Sequence, residues 1–167
     1  MTHATWGAWR GLHPETVVLA KPGSQIILYQ RDAYEEAYAA WGTTFGLAVF
    51  VPGGQKLYPL QKLHDRPVVH DTIADQPVLV VHHPPTETTV AFDPVIAGTP
   101  VQFELLEVAE NDVLLRDPAS GTIWSGLTGR PQSNGGPPQQ LRQLRTTQFV
   151  VENWQYHFPQ GETFDAP

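Results

Sequence analysis

The sequence contains no cysteine. Disulfides, thiolate nucleophiles and thiolate metal ligands are therefore excluded together. Charge is also scarce. Asp, Glu, Lys and Arg make up 16% of the chain, against about a quarter in an ordinary globular domain. With 41% hydrophobic residues, this is not the polar, highly charged composition of a disordered chain. Positive charge is scarcest: 10 Lys and Arg face 17 Asp and Glu, for a net charge of −7. A nucleic-acid partner needs clustered cations to neutralise phosphates, so none is expected. The one local basic cluster, Arg142 and Arg145, reads as the exposed face of a short helix. No apolar run approaches the roughly 20 residues of a membrane-spanning helix, and no membrane partner is expected. Residues 1–6 lack the charged start and apolar stretch of a signal peptide. The chain as given reads as cytoplasmic.

What is present points to one β-rich domain over residues 1–167, long enough to bury a core. Short β-branched runs at 17–19, 25–29, 46–51, 77–82, 88–92, 101–106, 112–115 and 149–151 read as strands. The 16 prolines and 14 glycines punctuate them, as at Pro52-Gly53-Gly54 and Pro84-Pro85. Stretches 32–41, 57–64 and 138–144 read as short helices. The Tyr34, Tyr38 and Trp41 spacing gives the first of them a packed face. The expected fold is mainly β, with α+β as the alternative: a barrel or sandwich carrying two or three short helices. The stretch 132–140 is the most linker-like and reads as a loop.

One internal echo stands out. Trp9 is followed by His13-Pro14-Glu15-Thr16, and Trp154 by Phe158-Pro159-Gln160-Gly161. Each places Pro five residues after Trp. We read each as a Trp that anchors a terminal turn on the core.

Ordered motifs carry a resemblance. They are Trp9…His13-Pro14-Glu15-Thr16, Arg31-Asp32-Ala33-Tyr34, Leu57-Tyr58-Pro59-Leu60, and Val68-Val69-His70-Asp71-Thr72. Then follow Pro77-Val78-Leu79-Val80-Val81, Pro84…Thr86…Ala91-Phe92-Asp93, Arg116-Asp117-Pro118-Ala119-Ser120-Gly121-Thr122-Ile123-Trp124 with Gly129, and Trp154…Pro159. In order and spacing the chain resembles the prokaryotic family catalogued as domain of unknown function 3179. The resemblance implies a mainly β fold and no particular reaction. Two departures matter. The family pattern has Asn-Asp where this chain has His70-Asp71. It has a Cys-Pro-Leu-Thr-Gly-type segment where this chain has His83-Pro84-Pro85-Thr86-Glu87. The missing Cys removes any role that depends on a thiol.

The candidate site is the cluster His70, His82 and His83. If residues 71–76 form a hairpin connection, the strands bearing these histidines are neighbours. Adjacent side chains on a strand point to opposite faces, so one of His82 and His83 shares a face with His70. The match to the family's Cys position selects His83. Imidazole suits zinc, copper and iron, and two His with a carboxylate form a common open metal site. The metal reading therefore takes His70, His83 and Glu87, with Asp71 and Asp117 as further acids. The same residues permit metal-free acid–base chemistry, with His70 oriented by Asp71. A serine triad has no support, since no Gly-x-Ser-x-Gly elbow exists. Thr86, Asp117, Thr122 and Trp124 are candidate pocket residues. Asp117 is otherwise a turn residue bonded to its own backbone, and Trp124 otherwise core. Three functional classes stay open: a metal-binding protein, a metal-free small-molecule module or enzyme, and a structural domain.

Overall fold

The computed structural model describes residues 6–17, 44–132 and 139–165. The expected elements at 25–29 and 32–41, with the Tyr34, Tyr38 and Trp41 face, lie outside them.

A short helix, α1 (Trp6–Leu12), precedes the sheets. Strands β1 (Phe45–Val51) and β2 (Gly54–Pro59) lead into helix α2 (Leu60–Asp65). Strands β3 (Val68–Ile73), β4 (Gln76–His83) and β5 (Thr88–Asp93) follow. After the small ribbon β6 (Val95–Ile96) and β7 (Thr99–Pro100) come β8 (Glu104–Val108), β9 (Val113–Arg116), β10 (Ile123–Ser125) and β11 (Arg130–Pro131). The described chain ends with β12 (Arg142–Gln143), β13 (Arg145–Val150), helix α3 (Trp154–His157) and β14 (Glu162–Thr163).

The strands form three four-stranded sheets, ordered β13-β1-β2-β14, β12-β5-β4-β3 and β11-β10-β9-β8. None closes into a barrel among the described residues. The β12-β5-β4-β3 sheet lies between the other two. Val78 and Val80 of β4 and Ala91 of β5 pack with Leu47, Val49, Tyr58 and Leu63 on one face. Leu79, Val81, Val90 and Phe92 pack with Phe103, Val113, Leu115 and Trp124 on the other. A strand with two buried faces needs apolar residues at every position rather than alternate ones. This explains the unbroken run Pro77-Val78-Leu79-Val80-Val81.

The β3–β4 connection is shorter than the sequence suggests. Ala74 and Asp75 both have positive φ, 46° and 64°, as a two-residue primed hairpin turn requires. His70 and Asp71 therefore stand inside β3, opposite Leu79 and Val78, rather than at its end. Other expectations shift as well. The stretch read as helix over 57–64 is strand to Pro59 and helix only from Leu60. The basic cluster is not a helix: Arg142 lies in β12 and pairs with Asp93 at 2.6 Å. Arg145 opens β13, with its guanidinium 5.3 Å from the Phe50 ring centre. Strand β8 starts at Glu104, after the irregular 101–103. No helix among the described residues is long and apolar enough to cross a membrane.

Candidate metal centre

Strand alternation sorts the histidines. His82 shares the face of Val78 and Val80, beneath α2. His83 shares the opposite face with Leu79 and Val81. His70 is on that opposite face too, as the alternation argument anticipates, and its Nε2–H donates to the Phe103 carbonyl at 2.9 Å. The register nevertheless separates the two. His70 stands opposite Leu79, four positions from His83 along β4, which is about 13 Å at 3.3 Å per residue.

His83 is also fully committed. Its Nε2–H donates to the Ala109 carbonyl at 2.7 Å, so its Nδ1 accepts from the Thr86 hydroxyl at 2.7 Å. Both nitrogens of a neutral imidazole are thereby used. Thr86 in turn bonds Thr88 at 2.8 Å. The metal set His70, His83 and Glu87 is therefore not brought together. Glu87 alone of the three stands at the site described below.

Asp71 does not orient His70. It faces the other side of the sheet, where its Oδ2 accepts from the Tyr58 hydroxyl at 2.9 Å and meets Lys56 Nζ at 2.9 Å. Burial, together with the Asp71 charge, pushes the Tyr58 hydroxyl far above its ordinary range. The proposed His70–Asp71 acid–base pair thus has no contact to carry it. The Asp117 segment is the turn its composition suggests. Asp117 accepts from the Ala119 N–H at 2.9 Å and the Ser120 hydroxyl at 2.5 Å. These bonds, the Ser120 one first, hold its carboxyl below the usual range. Thr122 closes the same turn, its carbonyl accepting from the Asp117 N–H at 3.0 Å. Trp124 is core, 3% exposed and edge-on to Phe103 at 5.6 Å. Phe103 therefore contacts both His70 and Trp124. Of the pocket set, Thr86 bonds His83, while Asp117 and Thr122 close their own turn and Trp124 packs in the core.

A different constellation forms beneath α2. His64 in its last turn, His82 at the end of β4, and Glu87 after the Pro84–Thr86 turn bring their ligand atoms within 4.8 Å of one another. His64 Nε2 lies 3.0 Å from Glu87 Oε1, and His82 Nε2 lies 4.0 Å from Glu87 Oε2. The two imidazole rings are 5.0 Å apart. For two ligands about 2.1 Å from a metal at a tetrahedral angle, the ligand–ligand separation is about 3.4 Å. The observed distances bracket that value.

His82 is the buried anchor. It is 0% exposed. Its Nδ1 is 2.8 Å from the Thr89 hydroxyl on the paired residue of β5. Its Nε2 has no hydrogen-bond partner among the described residues. An orphaned buried nitrogen costs about 1–3 kcal/mol. With Nδ1–H donating to Thr89, Nε2 carries the lone pair that a metal requires, and such an outer hydrogen bond is the usual way a ligand histidine is oriented. Burial first, then the neighbouring His64 and His83, lowers the His82 pKa to about 4. The ring is neutral near pH 7 and ready to coordinate.

Glu87 shows a second mark. Its backbone is left-handed, φ 52° and ψ 22°, a region that costs an L-residue with a Cβ about 1–2 kcal/mol. Glu87 holds this backbone with its carboxylate beside the two imidazoles. The site opens to solvent on one side, since the His64 and Glu87 side chains are 45% and 34% exposed. His64 also borders an open groove of about 780 Å³ lined by Phe45, Leu60, Gln61 and Asp65.

Sequence reasoning alone misses His64 and His82 as ligands, because the match to the family's Cys position favours His83 over His82. His64 carries no signal until α2 is placed over β4.

The profile of the family described as protein of unknown function (DUF3179) matches residues 45–167. No curated protein and no solved structure matches the chain.

Proposed function

Starting from a chain that belongs to the DUF3179 family of proteins of unknown function, we propose that it binds a divalent transition metal through His64 Nε2, His82 Nε2 and the Glu87 carboxylate. The observation that carries this reading is the His82 imidazole. It is wholly buried, pinned by Thr89, and leaves Nε2 unpartnered toward a carboxylate and a second imidazole.

The donor set is two nitrogens and one oxygen. Zinc, copper and iron accept it, and hard cations such as calcium and magnesium prefer all-oxygen sites. Three protein ligands leave at least one coordination position, and solvent lies on the His64 and Glu87 side. This is the arrangement of a centre that takes water or a small donor ligand, whereas a structural zinc site closes all four positions. The Glu87 charge offsets part of the metal's charge, and the buried second face limits exchange to one direction.

The test is thermal denaturation of untagged protein with zinc, copper, iron(II) or chelator. The account predicts a rise in Tm with at least one of these metals and no rise in the His82→Ala variant. If the wild-type Tm is indifferent to all of them at micromolar excess, His64 and Glu87 are an exposed ion pair and the metal reading is wrong.

A further inference from the structure

The two tryptophan elements of the sequence echo are built alike, and the metal centre uses neither. In the C-terminal element the Phe158 N–H donates to the Trp154 carbonyl at 2.8 Å and the Gly161 N–H to the Phe158 carbonyl at 2.8 Å. The Trp154 and Phe158 rings lie 4.5 Å apart at 34°. The Trp154 indole N–H reaches across the Pro159 turn to the Glu162 carbonyl at 3.0 Å.

The N-terminal element repeats the two backbone bonds and the ring pair, and its indole N–H finds an acceptor just past the proline turn. The His13 N–H donates to the Trp9 carbonyl at 2.8 Å and the Thr16 N–H to the His13 carbonyl at 3.1 Å. The Trp9 and His13 rings lie 4.3 Å apart at 38°. The Trp9 indole N–H reaches across the Pro14 turn to the Thr16 hydroxyl at 2.9 Å. Trp9, His13, Pro14 and Thr16 thus stand as Trp154, Phe158, Pro159 and Gly161 do. Equal spacing alone does not require the same backbone bonds and ring tilt, so this is one local fold used twice.

The two copies differ in what receives them. Trp154 is 1% exposed, set on Ala48 and Leu57 on the outer face of β1 and β2. Phe50 and Phe149 meet its edge. The chain then continues as β14, which adds in parallel to β2 at Lys56 and Leu57. At the matching point of the N-terminal copy, Val17 is 87% exposed. The sequence there, Val17-Val18-Leu19, is more β-prone than Glu162-Thr163-Phe164. An apolar, β-prone sequence of this kind is suited to adding to a sheet edge. The β1–β2 face of this chain is already filled by Trp154.

We propose that residues 6–17 are a second closing element, which docks on the β1–β2 face of another domain of this same fold, one whose face carries no Trp154-type element of its own. Trp9 is buried there as Trp154 is buried here. The chain through Val17 adds in parallel to that domain's β2 edge.

A graft within the full chain tests the fit. Residues 154–164 are replaced by the sequence of residues 9–19, beside a control with those residues scrambled. The graft is expected to melt cooperatively within about 10 °C of the parent, and the scrambled control to show no cooperative transition. An unfolded graft, or a control as stable as the graft, overturns the proposal. A second measurement does not depend on the graft folding. A peptide of residues 5–20 is added to the full chain carrying Trp9→Ala and Trp154→Ala. It is expected to raise that variant's Tm, while the same peptide with Trp9→Ala does not. No rise, or equal rises, overturns the proposal.

Discussion

Replacing Glu87 with glycine should abolish the response to metal without weakening the apo fold. Three terms set the apo stability of this variant. The left-handed backbone at Glu87 costs an L-residue about 1–2 kcal/mol, which glycine does not incur. Glycine's freer unfolded chain takes back about 0.5–1 kcal/mol. The His64–Glu87 pair is half in solvent, and exposed pairs contribute only about 0–1 kcal/mol. The sum is close to zero, within about 1 kcal/mol either way. The metal term is larger. A metal at a hundredfold excess over its Kd stabilises the native state by about 2.7 kcal/mol, or roughly 5–10 °C for a chain of this size. Glu87→Gly should lose that shift. Glu87→Gln keeps the strained backbone, so it should lose the shift without any apo gain. Calorimetric melts in chelator and in metal read both quantities. A Glu87→Gly protein that melts more than about 5 °C below wild type in chelator, or that keeps the full metal shift, refutes the reasoning.

Other expectations are of the same kind. His82 has a folded-state pKa of about 4, below the ordinary 6.5, so the unfolded chain binds the proton first. Its contribution is complete above about pH 6.5 and is lost as pH falls toward 4, amounting to about 3 kcal/mol. Urea unfolding across that window should be less pH-sensitive in His82→Leu than in wild type; equal slopes would remove His82 as the cause. His83→Ala empties a buried position and strands the Ala109 carbonyl, so it should cost about 2–4 kcal/mol in chemical denaturation while any folded protein keeps its metal shift. Asp71→Ala removes the acceptor of buried Tyr58 and the partner of Lys56. It should cost about 1–3 kcal/mol and leave metal titrations unchanged; a lost metal shift would return Asp71 to the site.

Much of the fold was legible in the sequence. The β-branched runs gave β1, β4, β5 and β9 nearly in place, and β4 and β5 most fully, because a doubly buried strand must be apolar throughout. The short strands β2, β10 and β12 were not legible, since the polar Lys56, Ser125 and Arg142 break their apolar pattern. The site was half legible. Glu87 and the His82-His83 pair stood out by composition. Choosing between the two histidines needed the layer order, which decides whether an even or an odd position of β4 looks toward α2. The distance from His70 to His83 needed the two-residue Ala74-Asp75 turn, whose positive φ Asp75 tolerates but Ala74 does not announce. His64 became a neighbour only through the packing of α2 on the sheet, a contact that local sequence does not encode.

The most direct test is the metal content of untagged protein, dialysed against micromolar zinc and then against metal-free buffer. The account predicts one equivalent of zinc per chain in the wild type and none in the His64→Ala, His82→Ala, Glu87→Gly triple variant. A wild-type protein that retains no metal, or a triple variant that retains as much, contradicts it.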